Sequence, residues 1–252
     1  MAELALLDEV VGAAGGEERW RSARRISAHV RSGGLLPRTR LPGNRFADYT
    51  LTLEVDRPHA VLDPYPGVGR RAVFAGDQVS IEGAGGEVLQ RRESPRAQFF
   101  GLSGLRRNLR WDALDSTYFA GYAMWNYLTH PLLLLRDEVE VSRGPDWNGE
   151  GAPWRRLDAR FPPGFPTHSP EQSFFYDESG RLVRHDYTPE VVSRSARGAH
   201  YCAAHREYDG LMFPTSRRVL PLRRNLRSRR FPTVVWIELD RVQVEREAGP
   251  GG

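Results

Sequence analysis

There is no lysine in this chain; all 36 basic residues are arginine, set against 32 acidic ones. Schiff-base catalysis, a P-loop phosphate lysine and a lysine general base are therefore excluded. Cysteine is almost as scarce. The single Cys202 rules out an internal disulfide and any multi-cysteine zinc site. No window approaches the roughly 18–20 apolar residues of a membrane-crossing helix, and "PLLLL" at 131–135 is far too short. The opening "MAELALLDEVVGAAGGEERW" has early acidic residues and no basic start before an apolar core, so it is not read as a secretory signal, and a cytoplasmic location is expected. Motifs are missing as well. There is no GxSxG elbow, no P-loop and no HExxH helix. "DPYPGVGRR" holds Gly67 and Gly69 without the strand–turn–helix setting of a dinucleotide site.

Arginine clusters stand at 19–25, 105–110 and 222–231. Such runs mark nucleic-acid contact in some proteins. Here no helix-turn-helix, zinc or RNP pattern accompanies them, and solvated loops in an arginine-biased chain account for them. No nucleic-acid partner is expected.

What the chain does have is alternation. "DYTLTLEV" sets Tyr49, Leu51, Leu53 and Val55 against Asp48, Thr50, Thr52 and Glu54. "RRISAHVRS" alternates in the same way, and further strand candidates lie at 58–62, 71–75, 78–82 and 87–92. After an interruption, strand runs resume at 137–142, 154–161, 171–176, 182–187, 199–208, 214–220 and 233–244. The interruption is helical. "WDALDSTYFAGYAMWNYL" carries Leu114, Tyr118, Tyr122, Trp125 and Leu128 at helical spacing, with Asp112 as N-cap and Pro131 as stop. A second, short helix is predicted within the first 15 residues, with Leu4, Leu7 and Val11 on one face.

At 252 residues the chain is long enough to bury about three quarters of its unfolded surface without a metal or disulfide staple. One-sided alternation over ten or eleven strands points to an antiparallel sheet with one wet face, and a sheet of that width curls or closes. The fold class is mainly β with a helical lid: one strongly curved antiparallel sheet, an open half-barrel enclosing a hydrophobic cavity. Residues 1–246 form this one domain, with the lid at about 112–130, and 247–252 form a flexible tail.

Four stretches, "GAAGGEERWRSARRISAHV", "EGAPWRRLDARFP", "SFFYDESGRLVRHDYT" and "HREYDGLMFPTSRRV", together resemble the lipoprotein-carrier fold of the LolA/LolB type, in its soluble bacterial relatives. The resemblance covers nearly the whole chain and rests on the order of the pieces. It implies about eleven strands, with helices plugging the concave side around a hydrophobic cavity. What it carries over is the cavity, not a trafficking role between membranes.

The hairpin "QSFFYDESGRLVRHDY" supplies candidate chemistry. A four-residue loop over 177–180 pairs Tyr176 with Arg181, Phe174 with Val183 and Gln172 with His185. One face then holds Gln172, Phe174, Tyr176, Val183, His185 and Tyr187, a mix suited to a cavity wall. Leu182, Arg184 and Asp186 fall on the other, wetter face. In the next strand Tyr201, Ala203 and His205 are expected to share the concavity with His185. Cys202 is expected to be a small core residue. His168, His185, His200 and His205 lie within 38 residues, and three readings of them stay open: structural histidines, general acid–base catalysis, or a metal site. The five-residue interval of "HYCAAH" on a strand sends His200 and His205 to opposite faces, which counts against the metal, so no metal and no cofactor are expected. The aromatic helix is either core or a lid over a lipophilic ligand. His130, at the helix end, is expected to be a cation complementing the dipole.

Two functions compete. The first is binding of a hydrophobic small molecule by Gln172, Phe174, Tyr176, Tyr201, Tyr118, Tyr122 and Trp125. The second is a cofactor-independent isomerase, cyclase or hydrolase acting on a lipophilic metabolite in a biosynthetic pathway. In that case His185 or His205 is the base, with Tyr187 and Gln172 as orienting donors. Oligomeric state is not legible.

Overall fold

The structure is a computed structural model that describes residues 2–40, 47–101, 110–149, 151 and 153–246. The expected tail at 247–252 and most of the arginine cluster at 105–110 lie outside the described residues. Thirteen strands form one antiparallel sheet. The first six are β1 (Ala23–Gly33), β2 (Asp48–Glu54), β3 (His59–Asp63), β4 (Arg70–Ala75), β5 (Gln78–Gly83) and β6 (Val88–Glu93). The other seven are β7 (Glu140–Trp147), β8 (Trp154–Arg160), β9 (Glu171–Tyr176), β10 (Leu182–Tyr187), β11 (Gly198–Tyr208), β12 (Leu211–Pro221) and β13 (Val235–Arg246). Four helices accompany them: α1 (Ala2–Ala13), α2 (Glu17–Ser22), α3 (Leu35–Arg40) and α4 (Ala113–Thr129).

The sheet runs β6-β5-β4-β3-β2-β1-β13-β12-β11-β10-β9-β8-β7, so it is open, with β6 and β7 at its edges. Every alternating run of the sequence became a strand, and the expected eleven are thirteen. Two meanders meet at a single non-sequential seam, β1 against β13. That order has a consequence for the helix. The chain leaves β6 at one edge and re-enters at β7 on the far edge, so its connection must cross the sheet. It crosses through the concave side as α4, which packs against β3, β4 and β5.

The helix starts where the sequence predicts. The Asp112 side chain accepts from Asp115 N at 2.8 Å, and the Asp115 side chain accepts from Asp112 N at 3.2 Å, a reciprocal capping box. From Leu114 to Thr129 nearly every residue is buried. The helix is therefore the centre of the core and not a surface flap. Trp125 is fully buried and donates its indole N–H to Glu54 O at 2.9 Å, which ties α4 to the end of β2. On the first turns of the chain, α1 buries Leu6, Leu7, Val10 and Val11; the side chain of Leu4 lies outside the described residues.

Gly121 allows the close approach of α4 to β4. A Cβ there would stand 2.3 Å from the Phe74 Cβ. Alanine improves helix propensity by about 1 kcal/mol over glycine. Overpacking a tight core costs about 1–3 kcal/mol, and the Phe74 Cβ cannot swing away. The contact should win: Gly121→Ala is expected to lower stability by about 1–2 kcal/mol in urea unfolding, whereas a gain would mean that α4 is loosely held.

Candidate functional site

The hairpin register differs from expectation by one residue at the loop and by two beyond it, yet most of its faces survive. Tyr176 pairs with Leu182, and His185 with Phe174, because the loop takes in Arg181. Asp177 organises it, its carboxylate accepting from Ser179 N and Arg181 N. A bulge between Leu182 and Arg184 then adds one residue on β10. A one-residue slip alone turns every side chain over; the bulge turns them back. Leu182 accordingly joins the inward face beside Tyr176, in place of Val183. Gln172, Phe174, Tyr176, His185 and Tyr187 are all buried.

The inward face is a dense ring of aromatic and imidazole groups. His185 stacks on Phe174 at 4.3 Å between centroids. Its Nε2 donates to Gln172 Oε1 at 2.6 Å, while the Gln172 amide donates to Thr167 Oγ1 at 2.6 Å and Ser169 O at 2.8 Å. His168, from the loop before β9, stacks flat on Tyr187 at 3.8 Å. Its ring nitrogens meet Tyr127 OH at 2.7 Å and Tyr122 OH at 3.2 Å, and the Tyr127 and Tyr187 hydroxyls stand 3.0 Å apart. His200 pairs with His185 across β10 and β11 and lies edge-on to Tyr127 at 4.5 Å.

These groups are uncharged. Burial, followed by the nearby Arg96 guanidinium, pushes His168 down to about 3. Burial and neighbouring imidazoles push His185 well below its ordinary value, and burial with Arg217 does the same to His200. Burial raises the hydroxyls of Tyr122 and Tyr127 well above theirs. A neutral imidazole has one N–H, so one of Tyr122 and Tyr127 donates to His168 and the other accepts.

Three expected placements change. Tyr201 pairs with Arg184 and so faces the outer side, its hydroxyl donating to Ser228 Oγ at 2.8 Å. Ala203 is exposed. His205 stands apart from His185: Ala204 takes a left-handed φ of 52° and breaks the alternation, and His205 borders a separate void of about 20 Å³ with His130 and Leu182. His130 is not a helix-end cation. Burial beside Arg217 and His205 holds it near 3, and its Nε2 lies 2.9 Å from Tyr176 OH. The outer face of the hairpin is not wet either. Arg184 and Asp186 are buried there as an ion pair, with Arg184 packed over Phe175 and Trp147.

Of the helix aromatics, Tyr118 packs on Phe74, Phe99 and Tyr122, and Trp125 packs on Phe165; both are core. Only the Tyr122 hydroxyl, of these three, reaches the imidazole ring. The sequence offers Tyr127 only as one of the helix aromatics, core or lid, and does not single out Arg217. Tyr127 lies on the helical face that meets β10 and β12. Arg217 sits in phase with Phe213 and Val219 on β12, and that phase was the available signal.

Beside this ring a largely apolar pocket of about 50 Å³ opens between α3, α4 and the central strands β1, β13 and β12. Leu36, Trp111, Phe119, Met124 and Ile237 line it with Tyr127 and Tyr187, and Ser32 and Arg40 add further polar lining. A far larger groove, about 1080 Å³, runs over the outer face of β7 to β10. It holds the ion pairs Arg156 with Asp158 at 2.8 Å and Arg160 with Glu171 at 3.2 Å, and it is open to water. Burial and chemistry favour the small pocket.

No protein-family model matches the chain, and no curated protein does. Solved structures do match. A putative outer membrane lipoprotein-sorting protein domain from Vibrio parahaemolyticus aligns over 99% of this chain and 94% of its own, with a TM-score of 0.52 and 11% identity. A DUF1329 family protein from Desulfovibrio piger aligns over 99% and 95%, with a TM-score of 0.49 and 13% identity. A LolA superfamily protein from Nitrosomonas europaea covers 96% and 93%, at 0.45 and 9%. The fold is LolA-like, as the resemblance implies.

Proposed function

We propose that this protein binds a lipophilic small molecule that bears an oxygen-containing group, and that this oxygen-bearing end enters the pocket between α3 and α4. The observation that carries this reading is the contrast within that pocket: apolar walls closed by Tyr127 and Tyr187, whose hydroxyls meet each other while that of Tyr127 also meets His168. The lipoprotein-sorting neighbour of the same fold supports a lipophilic ligand in general. Size narrows the reading. At roughly 10–15 Å³ per water-sized group, a 50 Å³ void takes an oxygen-bearing end about three to five groups long, and not a whole ring. A whole lipid does not fit, so the remainder of the ligand lies in the mouth.

Binding is favoured over acid–base catalysis for an electrostatic reason. A general base works best with a pKa near the working pH. His168 sits near 3 and His185 well below its ordinary value, so both are weak bases, while the hydroxyls nearby are weak acids. Such groups orient and recognise an oxygen atom well.

The test is calorimetric titration with dodecanol, together with an Ala123→Leu variant that narrows the pocket from the α4 side. The wild type should bind, and the variant should bind at least about tenfold more weakly, equivalent to ~1.4 kcal/mol, with its thermal midpoint retained. Absence of wild-type binding, or equal binding by a folded variant, contradicts the proposal.

A further inference from the structure

Arg217 is 2% exposed, and among the described residues it makes no salt bridge. The geometry points to a small-anion site at its guanidinium, one that takes a halide-sized anion or a single carboxylate oxygen.

The contacts of Arg217 leave its charge unanswered. One terminal nitrogen donates to the Cys202 Sγ at 3.3 Å and the other to Tyr127 O at 3.0 Å, while Nε has no partner. The guanidinium also lies 5.1 Å over the Tyr127 ring. A thiol whose pKa is raised by burial does not neutralise a cation, and a carbonyl offers only a dipole. Leaving a charge buried and unpaired is costly, and folded proteins avoid it by pairing the charge or binding a counter-ion. The other fully buried guanidinium in this sheet follows the rule, since Arg184 has Asp186.

Among the described residues that line the space beside Arg217 there is no acid. Arg217 borders a void of about 10 Å³ with Asn126, Tyr127, His130, Phe174 and His185. Nearby, both ring nitrogens of His200 and the Nε2 of His205 are buried without partners. By size the void takes one water-sized group, at roughly 10–15 Å³ each. A neutral water would satisfy Nε but leave the charge. A single small anion answers both. The site stands on Arg217 alone and does not depend on the apolar pocket, although Tyr127 walls both spaces.

Two sources would supply such an anion: a free halide, or one oxygen of the acidic head of a bound lipophile. The test begins with thermal unfolding of the wild type at pH 7.5 and fixed ionic strength, as sodium fluoride or sodium chloride replaces sodium gluconate, an anion too large for the void. A saturable rise of at least about 3 °C with fluoride or chloride supports a free anion. Calorimetry with sodium dodecanoate and dodecanol forms the second arm. Dodecanoate at least tenfold tighter than dodecanol identifies the head group as the source. In either case Arg217→Met should abolish the preference. The proposal is overturned if fluoride, chloride and gluconate give one curve and dodecanoate binds no tighter than dodecanol. That result needs only the wild type, so it holds even if the variant fails to fold. Dodecanol binding in that case would leave the pocket reading intact and remove the anion site alone.

Discussion

Taken from pH 7 to pH 5, the protein should lose roughly 4 kcal/mol of stability through His130 and His168 alone, at about 1.4 kcal/mol per pH unit for each histidine. Both are held near 3 in the folded state, against an ordinary value of 6.5. The sign follows from proton counting. Between 6.5 and 3 the unfolded chain binds a proton at each site and the native state does not, so stability is full above 6.5 and drains as pH falls. His185 and His200, also depressed, steepen the loss. Among the described residues no carboxylate bonds the His168 ring to offset it; its neighbours are Tyr122, Tyr127, Tyr187, Phe119, His185 and the Arg96 guanidinium, which is itself paired with Glu190. Domains typically hold about 5–15 kcal/mol in all, so a large share of the stability is gone by pH 5. Urea midpoints at pH 7, 6 and 5 should fall with an unchanged m-value. Constant midpoints would mean that the imidazoles are solvated or already charged. His168→Gln should flatten the slope by one proton's share.

Breaking the outer ion pair should cost about 3–5 kcal/mol. Arg184 grips Asp186 with two bonds of 2.6 Å and also donates to Leu226 O at 2.8 Å. Even so, Asp186 sits above its ordinary carboxylate value, because burial raises it more than Arg184 lowers it. The pair is thus an enforced arrangement more than a source of stability. Arg184→Met leaves the acid buried alone and lifts its pKa further. The native state then prefers a protonated Asp186, so the variant should be hurt more at pH 8 than at pH 5. The double variant Arg184→Met, Asp186→Leu should recover most of the loss, since apolar replacement of a buried pair is often neutral or better. If the single variant lost less than 1 kcal/mol, the outer face would be wetter than the structure has it.

Much of the architecture was legible because it rests on local pattern. "DYTLTLEV" alternates over its whole length, and its partner strands enforce what it states: Leu51 pairs with Leu62 and Ala28, Leu53 with Ala60 and Ile26. Asp112 capped a helix for a local reason as well. The hairpin was half legible. Its faces followed from alternation, but the bulge at Val183 and the fifth loop residue depend on how Arg181 and Asp177 bond, which no spacing rule states. The outer face was misread because Arg184 and Asp186 look solvent-seeking singly. The chain covers them with Trp147 and with the loop carrying Leu226, elements distant in sequence.

The site was least legible where it depends on convergence. His185 and Tyr187 were found on their strand, but the groups that define their setting come from elsewhere: Tyr127 from α4, His168 from a loop, Arg217 from β12. Tyr201 and His205 were misplaced for opposite reasons. Tyr201 keeps strict alternation with His200 and faces outward, whereas His205 escapes it through the left-handed Ala204.

The central claim is that a lipophile enters between α3 and α4 and reaches Tyr127 and Tyr187. The most direct measurement is photocrosslinking with a dodecanol carrying a diazirine close to its hydroxyl end, followed by peptide mapping. The account predicts adducts at Phe119, Met124 or Ile237, suppressed by excess dodecanol and lost in Ala123→Leu. Adducts concentrated on β7 to β10 of the outer groove, or spread over the surface without competition, would contradict it.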